Sequence, residues 1–176
     1  MSAVSHPIVR RLSTVTPLQR QQLAEVLIDC VEGGASVSFM DPLSRPKALA
    51  FWADVADSVA SGARLLLVAE DEHGIVGTVQ LVLDLPENQP HRADVSKMLV
   101  HRLARRQGMG AALMGAAEAA ARQCGKTLLV LDTASADARR LYARMGWQFS
   151  GTIPGFALLP KGGLCATRFV YRTLGD

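Results

Sequence analysis

The strongest constraint in this chain is an alternation of period between Ala93 and Asp132. Ala93 to Val100 reads as a strand, the Ala-rich stretch from Gly108 to Cys124 as a helix, and the apolar run Thr127 to Asp132 as a second strand. Two strands joined through a helix must lie parallel, and the crossover between them must be right-handed. That unit requires a sheet with at least one helix packed on it.

The flanking segments add hairpins and further helices. Thr16-Pro17 supplies an N-cap with proline in the first turn, Leu23, Val26, Leu27, Cys30 and Val31 recur at helical spacing, and Gly33-Gly34 ends the run. A loop over residues 34–40 leads to a second helix, expected from about Lys47 to Ala60, with Phe51, Trp52, Val55 and Val59 on its apolar face. Leu65 to Glu70 and Ile75 to Asp84 flank the turn Asp71-Glu72-His73-Gly74 and form a hairpin. After a polar loop from Pro86 to Pro90 comes the central unit, then a short helix from Asp137 to Met145 closed by Gly146. Two strands, Trp147 to Ile153 and Ala166 to Thr173, surround a Pro/Gly-rich loop. The expected order is ααββ followed by β–α–β–α–ββ, a mixed sheet with helices on it. A length of 176 residues, without repeat or linker, corresponds to about one domain.

Composition removes several classes. Apolar residues are 49% and charged residues 20%, which excludes disorder. No apolar run has the length of a membrane helix, and the start MSAVSHPIVRRLS has no signal-peptide core. Cys30, Cys124 and Cys165 are odd in number and widely spaced, so they form no disulfide framework and fit a reducing, cytoplasmic location. His6, His73 and His101 have no ligand spacing with a cysteine or carboxylate, and no metal is expected. His91, in a loop before Asp94, reads as a solvated side chain.

The net charge of +3 is focused. Arg92, Lys97, Arg102, Arg105 and Arg106 stand against Asp94 alone between residues 92 and 106. A nucleic-acid partner would call for basic charge spread along a face and for interleaved aromatics, and aromatics are only 5%. A small polyanion fits better. Here the strand 95–100 runs into the basic turn Arg105-Arg106-Gln107-Gly108-Met109-Gly110-Ala111, which opens the helix. Free N–H groups at the helix start, its dipole, two arginines and close backbone approach at Gly108 and Gly110 describe a pyrophosphate cradle. GxxxxGK[ST] is absent, and GxGxxG fails because residue 113 is leucine.

Arg105-x-x-Gly108-x-Gly110, between this strand and this helix, resembles the R/Q-x-x-G-x-G/A signature of the GNAT acyltransferase superfamily. The segments GGASVSFM, RADVSKMLV, LVLDT and IPGF and the ending YRTLG are similar to the tabtoxin-resistance type of that family, over nearly the whole chain. The resemblance implies an α/β fold: a single domain with a mixed, mostly antiparallel sheet, a central parallel β–α–β splay and flanking helices. It implies acetyl-CoA between the strands 95–100 and 127–132, with Met98, Leu99 and Val100 along the pantetheine arm and Arg105 to Ala111 at the pyrophosphate. It also implies an amine acceptor near the loop 34–40 (Ser36, Phe39), Trp52 and the segment at Phe156.

Acyl transfer needs a neutral amine, a stabilised oxyanion and a proton for the departing sulfur. Tyr142 matches the family's acid, and a phenol of pKa about 10 is a reasonable donor to a thiolate. Asp94 and Asp132 are the candidate bases. A carboxylate of ordinary pKa, near 4, is a weak base for an ammonium, so burial or a relaying water is required, and either aspartate could instead hold the amine electrostatically or cap a turn. The backbone N–H of Leu99 or a neighbour is the simplest oxyanion donor. The leading reading is direct acetyl transfer from acetyl-CoA to a small-molecule amine such as a toxin, an antibiotic or an amino-acid-like compound. A non-catalytic acyl-CoA-binding or regulatory domain and a protein N-acetyltransferase are the alternatives, and edge strands near the C-terminus leave a homodimer open.

Overall fold

Thr16 caps the first helix as its sequence requires. Its hydroxyl accepts from the Gln19 backbone N–H, and the Gln19 side chain accepts from the Thr16 N–H. A computed structural model describes residues 8–175; His6 and the start of the chain lie outside them. In chain order the elements are β1 (Ile8–Leu12), α1 (Pro17–Glu32), α2 (Arg45–Ala60), β2 (Arg64–Asp71), β3 (Gly74–Val82), β4 (Arg92–Val100), α3 (Met109–Gln123), β5 (Leu128–Thr133), α4 (Ala136–Arg144), β6 (Gln148–Leu158) and β7 (Leu164–Thr173). A single 3-10 turn, Arg102–Ala104, stands between β4 and α3.

All seven strands form one sheet in the order β1-β2-β3-β4-β5-β7-β6. Only β4 and β5 run parallel; every other neighbouring pair is antiparallel. The mixed, mostly antiparallel α/β sheet with a parallel splay is therefore the architecture. The expected order lacked β1, which pairs with β2 from Ile8↔Glu70 to Leu12↔Leu66. The last loop is also shorter than expected, because β6 continues through Pro154-Gly155 to Leu158.

The two faces of the sheet carry separate cores. Leu23, Leu27 and Trp52 of α1 and α2 pack on Leu66 and Val68. On the other face, Leu113, Met114 and Ala117 of α3 pack on Leu67, Val79 and Leu129. Ala93 and Val95 of β4 face α3, yet Leu99 lies in the α1/α2 core. Simple alternation would put all three on one face. A bulge resolves this: Gln80 pairs with Ser96 and Thr78 with Leu99, so Lys97 and Met98 together oppose Val79. Lys97 takes a left-handed φ of 52° there.

Trp52, set near the acceptor by the resemblance but on an apolar helix face by its spacing, is fully buried in the α1/α2 core. It contributes through packing. Trp52→Ala should lower unfolding free energy in urea by about 3–5 kcal/mol; a loss below about 1 kcal/mol would mean the side chain is dispensable to the core.

Candidate functional site

β4 and β5 are neighbours for only three residues, Arg92↔Leu128 to Asp94↔Val130, and then part. From Val95 and Leu131 onward their facing edges have no partner strand, and a cavity of about 880 Å³ opens between them. One end of it is the loop before α3, where Arg105, Arg106, Gly108 and Gly110 line the wall. The opposite end reaches Ser36 and Ser38 of the loop after α1, Ser96, Lys97 and Asp132, while Tyr142 forms part of the wall.

The loop leaves the start of α3 uncapped. Gly108 occupies the N-cap of α3 with φ 78°, no side chain caps the helix, and a Cβ at Gly108 would meet nothing within 4 Å. The helix start is thus left open with its dipole directed outward. At Gly110 a Cβ would lie 3.0 Å from Leu141 Cδ2, so glycine is what lets α3 pack against α4. Arg106, with φ 60°, has an exposed side chain without an ion-pair or hydrogen-bond partner among the described residues.

Arg105 and Arg102 serve the loop's position. Arg105 Nε donates to the Val100 carbonyl at 3.0 Å, and Cys30 Sγ approaches the same oxygen at 3.5 Å. Val100, expected along the pantetheine arm, therefore has its carbonyl already engaged, though the residue lines the cavity. Arg102 is turned away from the loop: its backbone N–H and Nε both donate to the carboxylate of buried Asp29 in α1. Asp29 ties the 3-10 turn to α1 and fixes where α3 begins. Met98, Leu99, Met109 and Ala111 also line the cavity, whereas Gln107 does not; its amide donates to the Leu103 carbonyl.

Tyr142 is 4% exposed, lies against Trp147 at 5.8 Å between ring centroids, and has no hydrogen-bond partner for its hydroxyl among the described residues. Burial alone pushes the phenol up to about 12. Asp132 lies at the end of β5, where its carboxylate accepts from Thr167 Oγ1 at 2.7 Å. Asp94 does not line the cavity. By alternation it shares a face with Asp132, but it stands in the paired part of β4 and is bound by Arg92. The two candidate bases are thus separated: one opens into the cavity, the other is neutralised beside it.

Of the expected acceptor contacts, only Ser36 lines the cavity. Phe39 packs edge-on against Phe51, Trp52 is core, and Phe156 is half exposed and stacks edge-on against Phe169. Sequence reading missed Lys97. Its Nζ donates to Ser38 Oγ at 3.2 Å and lies 5.9 Å from the centre of the Phe51 ring. Burial and nearby Arg64 lower its pKa, and Asp132 works against both. The signal was present: Ser96-Lys97 followed by Met98-Leu99-Val100 breaks a two-residue period, as a bulge does. Among the described residues, no three His, Cys, Asp or Glu side chains form a metal site and no helix is long and apolar enough to cross a membrane.

Residues 62–149 match the family model described as an acetyltransferase (GNAT) domain. The fold is similar to that of a ribosomal-protein-alanine N-acetyltransferase from Brucella melitensis, with a TM-score of 0.81 at 21% identity over 95% of this chain and 99% of that one. It is similar to a GNAT superfamily phosphinothricin acetyltransferase from Sinorhizobium meliloti, solved in complex with AcCoA, with a TM-score of 0.79 at 18% identity over 97% of this chain and 89% of that one. An N-acetyltransferase from Staphylococcus aureus Mu50 gives 0.77 at 16% identity, over 97% and 100% of the two chains.

Tyr142 should also mark the alkaline limit of stability. In the unfolded chain its phenol ionises near pH 10, and in the folded protein near 12. The folded state therefore holds the proton longer, and stability falls as pH rises through that interval. Urea unfolding of the wild type should lose about 2–3 kcal/mol more between those pH values than Tyr142→Phe does; parallel losses would show that the phenol is not buried.

Proposed function

We propose, from the premise that this chain belongs to the GNAT acetyltransferase family, that it transfers an acetyl group directly from acetyl-CoA to the amine of a small molecule. The observation that carries the reading is continuity. One cavity joins the anion-binding loop at 105–111, the parted edges of β4 and β5, buried Tyr142 and the Asp132 carboxylate.

Each part of that cavity has work to do. The open start of α3, with Arg106 beside it, suits the pyrophosphate of acetyl-CoA. Met98 and Leu99, on the β4 edge that has lost β5, suit the pantetheine arm. Acetyl-CoA, when bound, supplies the activated acetyl group. Asp132 attracts the acceptor's ammonium and, being exposed rather than buried, takes its proton through a relaying water, while the Thr167 hydroxyl holds the carboxylate in place. Tyr142 Oη keeps its proton far above neutral pH and has no acceptor of its own, so the proton is available to the departing sulfur. The burial that makes this phenol a weaker acid also penalises a thiolate beside it, which keeps donor and acceptor matched. No step is assigned to Asp94, because Arg92 already neutralises it.

Acceptor size favours a small molecule. Ser36, Ser38, Lys97 and Asp132 all lie within the one cavity, and the polar groups suited to an acceptor are internal to it. An amino-acid-like or toxin acceptor of the tabtoxin-resistance type fits that setting. Free cysteines at Cys30, Cys124 and Cys165 support a reducing, cytoplasmic location.

Calorimetric titration with acetyl-CoA should give one-to-one binding in the micromolar range, and no binding at millimolar ligand would overturn the reading. Two variants separate the roles. Arg106→Glu should weaken acetyl-CoA about tenfold at low salt and less at high salt, because its side chain has no structural partner to lose. Tyr142→Phe should lower kcat about 100-fold with little change in the acetyl-CoA KM; full activity would remove it as the proton donor.

A further inference from the structure

Lys97 carries a charge that no ion pair answers among the described residues, the Phe51 ring face being its nearest electrostatic company. It is half-buried, with no carboxylate within ion-pair distance among the described residues; its hydrogen bond goes to the neutral Ser38 hydroxyl. Asp132, in the same cavity, is close enough to influence it but bonds to Thr167 instead. Charges taken partly out of water are normally paired, so half-buried Lys97 is short of a counter-charge, while exposed Asp132 offers a carboxylate in the same cavity.

The residues behind Lys97 extend the deficit. Gln80 stands opposite Ser96 in the β3–β4 register and is fully buried, and its Nε2 has no hydrogen-bond partner. Its Oε1 accepts from Arg64 Nη1, and the buried Nε of Arg64 is unpartnered as well. Arg64 has no ion-pair partner either among the described residues, and burial lowers its pKa. Two cations and an unused amide donor thus stand together, Lys97 in the cavity wall and Arg64 and Gln80 behind it, with the Asp132 carboxylate also in that wall. Lys97 reaches this place only through its left-handed φ in the β4 bulge, a conformation that non-glycine residues adopt at a cost and that clusters at functional sites.

We infer that the acceptor is itself zwitterionic: its amine lies at Asp132 and an anionic group, a carboxylate or an equivalent oxyanion, lies at Lys97 with Arg64 and Gln80 behind it. The acceptor class is an α-amino acid or a close analogue, rather than a simple amine, a polyamine or an aminoglycoside. This rests on the acetyltransferase reading and names the substrate class of that same cavity. Lys97 here is a specificity-determining binding residue. A site built around a buried cation rejects an analogue that lacks the anion, because the cation is then left unpaired.

The test is acetylation of a panel of the common α-amino acids, each run beside its carboxamide, followed by thiol release from acetyl-CoA with acetyl-CoA saturating. At least one acid should be acetylated, and its amide should have kcat/KM lower by about 100-fold. Lys97→Met should lower kcat/KM for the acid and relieve the penalty on the amide, so that the acid-to-amide ratio collapses toward one. Lys97→Arg should restore part of it. Amides accepted as well as acids, no acid accepted, or discrimination that survives in Lys97→Met would each overturn the inference. The comparison within the wild type needs no variant to fold. Failure of the acetyltransferase reading shows differently, as loss of acetyl-CoA binding in the calorimetric titration.

Discussion

The separation of β4 from β5 is the constraint on which everything else in the molecule rests. Parallel strands normally lie inside a continuous ladder, with both edges paired and both faces covered. Here pairing stops after Asp94 and Val130, and two strand edges diverge with their backbone groups unused. Buried backbone polar groups must find partners, so a parted ladder needs something to enter it. The rest of the fold holds the gap open: β3 grips the far edge of β4, β7 grips the far edge of β5, and α3 and α4 close one side.

Anchoring of the two ends follows from that gap. At one end Asp29, buried in α1, holds Arg102 by backbone and side chain, and Arg105 turns back to the Val100 carbonyl. These contacts fix where α3 starts, and therefore where its unsatisfied N–H groups point. At the opposite end Thr167 of β7 holds Asp132, while the bulge in β4 delivers Lys97. Basic residues that look alike in sequence thus divide their labour. Arg102 and Arg105 build the loop, Arg106 is left free for a ligand, and Arg92 is spent on Asp94.

Much of this was legible beforehand, for identifiable reasons. The helices announced themselves through the cap at Thr16 and through apolar spacing, and the β2–β3 hairpin through Asp71-Glu72-His73-Gly74; the cap at Ser44, which starts α2 at Arg45 rather than Lys47, went unread. β1 was invisible because only Leu12 of its five residues is buried; partly buried Val9 and the Arg10–Glu70 ion pair are its other side-chain ties, too few to set an apolar period. The second half of β6 was hidden by Pro154 and Gly155, which an edge strand tolerates where its ladder is already irregular. At the site, the glycine loop, Tyr142 and Asp132 could be located from motif and position. Trp52 and Phe156 could not be sorted from the pocket, because an aromatic on a helix face or a strand carries no mark of which neighbour covers it. Lys97 depended on a backbone irregularity that changes which face a residue occupies.

That irregularity gives β4 two independent phases. Before the bulge, Ala93 and Val95 fill the core under α3; beyond it, Leu99 fills the core under α1 and α2. A strand in strict alternation would couple the two halves, since sliding or recasting one would turn over the residues of the other. With a spare residue at the junction, the half that ends at Ser96 and the half that begins at Met98 answer to different cores. The end of the strand proposed to meet the acceptor can be rewritten by substitution while the backbone edge that meets the glycine loop keeps its register. One strand serves as both a fixed rail and an exchangeable wall, which is a physical basis for a single framework serving many acceptors.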